Sequence, residues 1–504
     1  MAGNAKTSSV AGSAINGASG APRLTRRGFL TSAGALGILG LAGCAPQNIS
    51  SPADRDPVEN NDYDVVIVGA GGAGLSAAIA AHDAGVENVV VLEKMGVNGG
   101  NTNYSSSGMN ASETKFQKEQ GIEDSTDLFI QETLDGGHNA GDEELVTFMC
   151  ENSAGAIDWL DGLGITLDNI GQTGGMSVKR CHRPTDGSAV GATLVPGLVA
   201  AAAERGIPIR NLCEVTELVT DDGAVVGVVA NDNNTPTVYN AKAVILAAGG
   251  LGSNPEMIAQ YRPDLKDFVS TNQPGATGDG YRLAEKVGAE LVQMDQIQIH
   301  PTVEQTTHSL VAEGIRGSGA ILVNSEGKRF FDEMSTRDKV SAAELAQPNG
   351  DVWCVFDQQV YDANKAVTKL EKQGLVTEAD SVAGLAEAIG VDAAALEATI
   401  AAYDAVAGGA ADEFGRTQGC IVFADGPMYA IKVAPGIHHE MGGIKINVNN
   451  EALDADGNPI PGLYAAGEVT GGIHGNNRIG GNAVCDIEVF GKNVGEVVAS
   501  RVVA

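Results

Sequence analysis

Residues 63–74 read YDVVIVGAGGAG, an apolar run that leads directly into a glycine-rich turn. Gly69, Gly71 and Gly74 have the GxGxxG spacing, and an alanine-rich segment (75–84) follows them. The first glycine permits a tight turn, the second lets the backbone approach a pyrophosphate, and the third lets strand and helix pack closely. Because a helix N-terminus offers free N–H groups to phosphates, this stretch predicts a dinucleotide-binding strand–helix unit.

The next segments extend this prediction toward a flat ring system. Residues 88–92 form a second apolar run that ends at Glu93, about 20 residues after the turn, where a carboxylate can accept from ribose hydroxyls. The segments GGNT (99–102) and SGMN (107–110) carry small or amide side chains that would let a ring lie against the backbone. The glycine fingerprint alone does not choose between FAD and NAD, but these two segments favour a flavin.

The amino-acid composition limits the fold classes and the binding partners that are compatible with this chain. The chain has 504 residues, 67 of them glycine, with an aromatic content of 4%. This favours an α/β architecture with many tight turns, in two folded domains. The formal net charge of −32 disfavours nucleic acid and anionic membrane surfaces as partners. The seven cysteines form no CxxC or CxxCH motif, so we expect no disulfide framework, no c-type haem, no iron–sulfur cluster and no metal site.

The N-terminus has the pattern of an export signal. Residues 1–43 contain four basic residues and no acidic one, and TRRGFL (25–30) has the twin-arginine pattern before a short apolar run. LAGC (41–44) resembles a lipobox in which Cys44 becomes lipidated, and residues 45–60 have a linker composition. These features predict an extracytoplasmic protein that meets the membrane only through a lipid anchor on Cys44.

Beyond the linker, the pattern predicts a discontinuous Rossmann-like domain with an inserted α+β domain. Residues 61–294 and 438–504 form the first, and residues 295–437, where polar loops and amphipathic helical segments appear, form the second. Expected strands include 215–230 and 237–246, and expected helices include 381–389 and 393–403.

A second group of residues predicts a pocket for a carboxylate. QIHPT (298–302), whose HPT segment we expect to form a turn, is followed by EGIRG (313–317) and STRD (335–338), and two adjacent histidines and an arginine, His438, His439 and Arg478, return near the C-terminus. Arginine presents a fork of donors that matches a carboxylate. From the residues alone, a structural ion-pair network of Glu313 with the two arginines 316 and 337 is the better interpretation.

Over residues 61–504 the chain resembles the flavoprotein subunit family of fumarate reductases and succinate dehydrogenases, and among them the soluble exported fumarate reductases. The resemblance rests on GAGGAG, GGNTN, SGMN, TGDG (277–280), QIHPT, AEGIRGSGAILVN, STRDK, HHEMGG, GLYAAGEVTGG and NRIGGNA, in that order. It implies that the discontinuous domain binds FAD, that residues 295–437 cap the substrate, and that a hydride passes from the flavin to the β-carbon of an α,β-unsaturated carboxylate.

The same resemblance assigns roles. It implies that Arg337 donates the proton and that Glu313 and Arg316 reload it. The implied substrate-binding residues are His300, His438, Arg478, Gly108, Gly481 and Ala312. The implied cofactor-binding residues are Gly69, Gly71, Ala73, Gly74, Glu93, Asn101, Thr102, Ser107, Gly108, Ala247, Asp279, His439, Glu468, Ala483 and Val484. No histidine lies in 99–108, where membrane-complex relatives attach FAD covalently, so noncovalent FAD is expected.

One departure from the family pattern bears on the substrate. Ala312 stands before Glu313 where the fumarate reductases carry a threonine, which removes a hydrogen bond to the distal carboxylate worth about 0.5–1.5 kcal/mol. Fumarate stays the first expectation, and urocanate, an arylacrylate or another 2-enoate is the alternative. A flavin electron carrier without a small-molecule substrate is the alternative of a different class. The electron donor is expected to be a separate cytochrome or flavoprotein.

Overall fold

The computed structural model describes residues 61–503. The predicted twin-arginine signal, the lipobox cysteine Cys44 and the linker at 45–60 lie outside the described residues. The strands are β1 Asp62–Val68, β2 Val89–Glu93, β3 Met109–Asn110, β4 Asn169–Gly171, β5 Cys181–Arg183, β6 Ile209–Asn211, β7 Cys213–Asp221, β8 Ala224–Asp232, β9 Thr235–Leu246, β10 Leu291–Val292, β11 Ile297–Val303, β12 Ile321–Asn324, β13 Val352–Asp357, β14 Thr377–Ala379, β15 Met428–Glu440, β16 Gly443–Lys445, β17 Glu451–Leu453, β18 Pro459–Ala465 and β19 Thr470–Gly471.

The α-helices are interspersed with these strands along the chain. They are α1 Gly72–Asp83, α2 Lys115–Glu119, α3 Thr126–Gly136, α4 Glu143–Glu151, α5 Ser153–Gly162, α6 Gly191–Glu204, α7 Pro255–Tyr261, α8 Asp279–Lys286, α9 Glu313–Gly317, α10 Arg337–Leu345, α11 Gln358–Ala363, α12 Lys365–Lys372, α13 Val382–Ile389, α14 Ala393–Ala407 and α15 Asn482–Val502.

The largest sheet follows from the apolar runs of the sequence. Its order is β17-β18-β9-β1-β2-β6, with β8 and β7 added beyond β9 as an antiparallel extension. β1 pairs in parallel with both β2 and β9, so it lies at the centre. Val65–Val68 are at most 6% exposed, as expected of a parallel strand covered on both faces. The Rossmann-like fold predicted from the glycine fingerprint is confirmed.

Two small-residue helices bring the C-terminus against the glycine turn. α1 and α15 pack closely because a side chain at Gly491 would meet the Ala73 carbonyl oxygen at 2.8 Å. Twelve residues of α15 are buried, and its first turn carries Asn482–Val484 toward the same edge of the sheet as the glycine turn. This packing positions a segment from the end of the chain beside one from its beginning.

The second large sheet is antiparallel and belongs to the α+β part. Its order is β11-β15-β13-β12, and β14 pairs with β15. Two apolar clusters, with members between residues 311 and 433, cover its faces. β15 is 13 residues long and ends in His438-His439-Glu440. The domain limits at 294/295 and 437/438 stay a prediction; β15 runs without a break through the second of them.

Two local predictions from the sequence were wrong. The run 215–230 is a hairpin rather than one strand, because Asp222 (φ +46°) and Gly223 (φ +82°) form a two-residue turn between β7 and β8. His300-Pro301-Thr302 is not a turn but part of β11, whose register with β15 shifts between His300 and Val303. Pro301 has no N–H to give to the ladder, which accounts for the irregular pairing.

Between residues 61 and 503, no helix is long and apolar enough to cross a membrane. The same range contains no group of three or more His, Cys, Asp or Glu arranged to hold a metal ion. The six cysteines described there are free.

Candidate active site

The first part of the site is a cavity of about 820 Å³ at the end of β1. Gly69 and Gly71 line it, together with Ala73 at the start of α1. Gly69 has φ +109°, a conformation that favours glycine, and the carbonyl oxygen of Ala247 blocks any side chain there. Gly71 caps α1 without a side-chain hydrogen bond. The N–H of Gly72 donates to the Thr102 hydroxyl, and the N–H groups of Ala73 and Gly74 in the same turn keep their capacity for an anion.

Glu93 fixes the shape of this turn. Its Oε2 accepts from the N–H of Ala70 at 2.9 Å and its Oε1 accepts from the N–H of Met95 at 2.7 Å. Gly74 does not line the cavity; it lets α1 pack against the Gly69 carbonyl oxygen, as its place in the fingerprint predicts. Lone pairs remain on both Glu93 oxygens for ribose hydroxyls.

A lysine that the sequence reasoning missed lies at the far side of the cavity. Lys94 forms an ion pair with Asp279, and both residues line the cavity with Ala247. The signal was available, because Lys94 directly follows the ribose acid Glu93. The ammonium group of Lys94, positioned by its ion pair with Asp279, gives the cavity a cationic group, although the chain has a net charge of −32.

A second cavity of about 760 Å³ adjoins the first. Asn101, Thr102 and Glu468 line both, so the two form one groove. The Thr102 hydroxyl accepts from the N–H of Gly72 at 3.1 Å and thereby ties the wall of the second cavity to the glycine turn. The predicted residues that line the second cavity are Ser107, Gly108, Arg337, His438, His439, Arg478, Gly481, Ala483 and Val484.

Arg337 and Glu313 form a buried ion pair. Arg337 Nε donates to Glu313 Oε2 at 2.8 Å, Arg337 Nη2 lies 2.7 Å from the same oxygen, and the N–H of Gly174 donates to Oε1 at 2.7 Å. Burial by itself raises the pKa of Glu313, but the charges of Arg337 and Arg316 outweigh it and bring the pKa down to about 2. Glu313 is therefore an anion at neutral pH. The Gly174 contact comes from a loop that no sequence motif identified.

Arg316 lies behind this pair and away from the cavity wall. It is 1% exposed, and its Nη1 donates to the Glu333 carbonyl oxygen at 2.5 Å. Its Nε and Nη2 have no hydrogen-bond partner in the described residues. Burial lowers the pKa of Arg316, and the carboxylates of Glu313 and Glu344 act in the opposite direction.

Gln298 joins the two arginines of the second cavity, a role that the sequence did not predict. Its Oε1 accepts from Arg337 Nη1 and from Arg478 Nη2, each at 3.1 Å. Its Nε2 donates to Asn477 Oδ1 at 2.8 Å and to the Arg478 carbonyl oxygen at 2.7 Å. One amide thus holds two like charges in fixed positions on the same wall.

We expect Gln298→Leu to lower kcat/KM about 10- to 100-fold, because each lost hydrogen bond to a charged group costs about 1.5–3 kcal/mol. Leucine has a similar volume but gives neither arginine an acceptor. The measurement is steady-state kinetics of the FAD-loaded protein. Gln305→Leu, at an exposed glutamine of the same sheet region, is the control and should keep the wild-type value. Equal kinetics for the two variants would show that Gln298 does not position the arginines.

The histidines divide between the wall and the layer behind it. His438 lines the cavity and shares a hydrogen bond of 2.7 Å with the Thr271 hydroxyl. The His300 ring lies 5.1 Å from the His438 ring and is fully buried, with no partner at Nε2 in the described part of the chain. Ala312 is 7% exposed and is also absent from the wall, where Leu310 is found instead. Burial and then the charge of Arg337 lower the pKa values of His300 and His438 well below the usual range, so both are neutral at neutral pH.

A carboxylate–histidine group lies where the two cavities meet. His439 Nδ1 is 3.1 Å from Glu468 Oε1, and Asn101 donates to Glu468 Oε2 at 3.1 Å. Burial lowers the pKa of His439 to about 4, and the charge of Arg478 adds to this, whereas Glu468 opposes it. Neutral His439 therefore donates from Nδ1 to Glu468 and leaves its unpartnered Nε2 for a ligand. Glu440, which the sequence analysis did not single out, is a second buried carboxyl beside Glu468, and burial raises its pKa well above the usual range.

The residues of this groove fit FAD. The glycine turn and the uncapped start of α1 suit a pyrophosphate, Glu93 suits a ribose, and Asn101 with Glu468 suits the hydroxylated chain that joins phosphate to ring. The unpartnered Nε2 of His439 and the small residues Gly108, Gly481 and Ala483 suit a flat ring in the second cavity.

Comparison with known proteins gives a consistent result. A family model described as FAD binding domain matches residues 64–484. The NADH:fumarate oxidoreductase of Klebsiella pneumoniae (strain 342) is 51% identical over 442 residues, which are 87% of this chain and 48% of that protein, so the chain spans about half its length. The urocanate reductase of Eggerthella lenta is 38% identical over 87% of this chain and 75% of that protein. A solved open conformation of a flavocytochrome c3 fumarate reductase superposes with a TM-score of 0.74 at 42% identity, covering 89% of this chain and 79% of that one. The resemblance inferred from the motifs is confirmed: the chain belongs to the FAD-binding family that includes the flavin-dependent fumarate reductases, and it is an FAD-dependent oxidoreductase.

Proposed function

We propose that this protein reduces the carbon–carbon double bond of fumarate or a related α,β-unsaturated carboxylate. The observation that carries the proposal is the pair of buried arginines, Arg337 and Arg478, bridged by Gln298 on the wall of a cavity continuous with the dinucleotide groove. Arg478 has no carboxylate partner in the described residues, and its Nε has no acceptor there. A buried, unpaired guanidinium beside a flavin site suits an anionic substrate.

Binding of the substrate carboxylate is the task of Arg478 and His438. The guanidinium of Arg478 offers parallel donors, and neutral His438 adds one donor from the same wall. Their charge and dipoles favour the movement of electron density from the double bond toward the carboxylate. Reduced FAD, when bound, supplies the hydride that reaches the β-carbon.

Delivery of the proton is the task of Arg337. We propose that a guanidinium N–H of Arg337 protonates the α-carbon and that Glu313, which accepts a hydrogen bond from Nε of the same guanidinium and pairs with its charge, is the path by which the proton is restored. Arginine is a weak acid, with a reference pKa above 12. The carbanion-like α-carbon is a much stronger base, so the transfer is downhill when the two atoms are held in contact.

The distal end of the substrate decides between fumarate and the other 2-enoates. The His300 ring lies 5.1 Å from the His438 ring, behind the wall, and its Nε2 has no partner in the described residues, which supports a polar distal group such as a second carboxylate. Leu310 supplies apolar surface to the same cavity, and Ala312 behind the wall has no hydroxyl to offer, which favours the second candidate, a reductase of urocanate, an arylacrylate or a similar acid. Both candidates use Arg337, Glu313 and Arg478 in the same way.

A flavin electron carrier without a small-molecule substrate is the weaker hypothesis. Two buried cations close together cost free energy through desolvation and repulsion. An electron carrier gains nothing from that arrangement, whereas a carboxylate reductase needs it.

We further propose that residues 61–294 with 438–504 bind FAD noncovalently and that residues 295–437 cap the substrate. We propose that the protein is exported by the twin-arginine route, that Cys44 carries a lipid anchor, and that electrons come from a separate cytochrome or flavoprotein. The basic pair and the lipobox in residues 25–44 support the export proposal.

The proposal is tested by reoxidation of the dithionite-reduced, FAD-loaded protein with a panel of acids under anaerobic conditions. We expect fumarate to restore the oxidised flavin spectrum, with succinate as the saturated control that does not. Reoxidation by urocanate or cinnamate, with fumarate inert, would select the second candidate. Reoxidation by none of the acids, together with rapid electron exchange with a cytochrome, would favour the electron carrier.

A further inference from the structure

The loop after α3 carries a histidine in a backbone conformation that usually belongs to glycine. α3 ends at Gly136, and His138 has φ +57°. The N–H of His138 donates to the Asp135 carbonyl oxygen at 3.0 Å, and the N–H of Asn139 donates to the Leu134 carbonyl oxygen at 2.7 Å. Glycine is the usual residue at a left-handed position after a helix, because a side chain there costs free energy. A histidine at this position therefore indicates a role for its side chain.

The His138 side chain contacts the helix that carries Arg337. His138 Nε2 lies 3.1 Å from Asp338 Oδ2, and Asp338 is in the first turn of α10, directly after Arg337. His138 is exposed and Asp338 is partly exposed, whereas Arg337 is buried. The contact joins segments that are distant in the sequence, one from each of the two predicted domains.

The same loop is fixed to the segment that contains Arg478. The Gly136 carbonyl oxygen accepts from Asn477 Nδ2 at 3.0 Å. A side chain at Gly136 would meet Ile479 Cδ1 at 2.3 Å, so the end of α3 lies directly against this segment. The loop after α3 thus contacts a neighbour of Arg478 on one side and, through His138, a neighbour of Arg337 on the other.

Together with Gln298, these contacts close a ring around the two arginines. Asn477, which donates to the end of α3, also accepts at Oδ1 from Gln298 Nε2 at 2.8 Å. Gln298 accepts from Arg337 Nη1, and the ring returns to α10 through His138 and Asp338. Arg337 is therefore held at two points, its guanidinium by Gln298 and the turn of helix that carries it by His138.

We propose that His138 is a positioning residue that fixes the first turn of α10 and so holds the Arg337 guanidinium where it delivers its proton. This inference rests on the proposed function. His138 lines neither cavity and acts through Asp338. Proton delivery depends steeply on the position of the donor, whereas binding of the substrate carboxylate is the task of Arg478. Loss of the His138 side chain should therefore change kcat and leave KM almost unchanged.

His138→Gly tests this role, because glycine fits the left-handed backbone and removes only the side chain. We expect its thermal midpoint to stay within about 2 °C of wild type, since relief of backbone strain offsets the lost contact. Its kcat should fall about three- to tenfold, with KM within about twofold of wild type and normal flavin content, because a partly exposed ion pair contributes modestly. A residue that only stabilises the fold would not separate kcat from KM in this way.

A second variant and an exchange of the two side chains guard against an effect of glycine flexibility. Asparagine tolerates the left-handed conformation but is too short to reach Asp338, so His138→Asn should match His138→Gly in kcat. His138→Asp places two carboxylates together and should lower kcat at least as far. Adding Asp338→His to His138→Asp restores the contact in reverse and should bring kcat back to within about threefold of wild type. If His138→Gly proves unstable, the asparagine variant and the exchange decide.

Another ion pair between the two predicted domains provides the matched control. Lys365 Nζ lies 2.9 Å from Asp186 Oδ2, both residues are exposed, and neither is next to a predicted site residue in the sequence. Lys365→Gln should keep the wild-type kcat. A wild-type kcat in His138→Gly, an equal loss in Lys365→Gln, or no recovery on exchange would overturn this inference while Arg337→Ala stays inactive. An active Arg337→Ala would overturn the proposed function instead.

Discussion

Replacing Arg337 by alanine is expected to lower kcat at least about a thousandfold while the protein retains its FAD. The side chain is proposed to give the only proton that the α-carbon receives in the closed site, and a positioned general acid contributes about 10²- to 10⁴-fold. Arg337 also holds Glu313, which is ionised and buried, so its loss leaves that carboxylate with the Gly174 N–H as its bonded partner. The measurement is kcat with the best acid of the panel, beside the flavin content from absorbance.

Arg337→Lys is the matched control for charge. Lysine keeps one cation but lacks the planar fork that donates to Glu313 from Nε and to Gln298 from Nη1. We expect Arg337→Lys to retain FAD and to be closer to wild type in stability than Arg337→Ala. Its kcat should still be about 100-fold below wild type. Turnover at the wild-type rate in the alanine variant would remove Arg337 from the chemistry and favour a structural ion pair with Glu313.

Replacing Arg478 by methionine is expected to change activity and stability in opposite directions. Loss of the guanidinium that we propose to hold the substrate carboxylate costs about 2–5 kcal/mol, or about 30- to 5,000-fold in kcat/KM. Arg478 is 4% exposed and forms no ion pair in the described residues, and both burial and the charge of Arg337 lower its pKa well below the usual range. Removal of an unpaired buried charge should therefore raise the thermal midpoint of the substrate-free protein, by about 1–3 °C.

Arg180→Met is the matched comparison for this second prediction. Arg180 is equally buried but forms ion pairs with Asp124 at 2.6 Å and Glu132 at 2.8 Å, away from the groove. Its removal leaves two carboxylates unpaired, so the midpoint should fall. If the thermal midpoint of Arg478→Met also falls, or if this variant keeps the wild-type kcat/KM, Arg478 is a structural residue and does not bind the substrate carboxylate.

The glycine fingerprint and the acid after β2 could be located from the sequence because their spacing is local. Gly69, Gly71 and Glu93 belong to one strand–helix–strand unit, whose geometry is fixed within 25 residues. The positions of Arg337 and Glu313 were also predicted, through the motifs that carry the family resemblance. Their pairing at 2.7 Å is a finding of the structure.

The contacts between distant segments could not be predicted in this way. Gln298 was part of a recognised motif, but the residues that it bridges lie far from it in the sequence. Arg337 is 39 positions away and Arg478 is 180 positions away. Glu344 lies in a helix whose sequence gives no sign that its acid is buried, because burial there depends on the packing of α10 against β11 and β15. The HPT segment was misread as a turn since the pairing of β11 with β15, not local propensity, makes it a strand.

A crystal structure of the protein with FAD and a non-reducible dicarboxylate bound would test the mechanism most directly. We expect the ring of FAD in the second cavity, one carboxylate of the ligand on Arg478 and His438, and an Arg337 nitrogen within about 3.5 Å of the ligand carbon on the side away from the flavin. A flavin in the groove with the ligand bound elsewhere, or with no ligand atom between the ring and Arg337, would contradict the transfer of a hydride and a proton to opposite faces of one double bond.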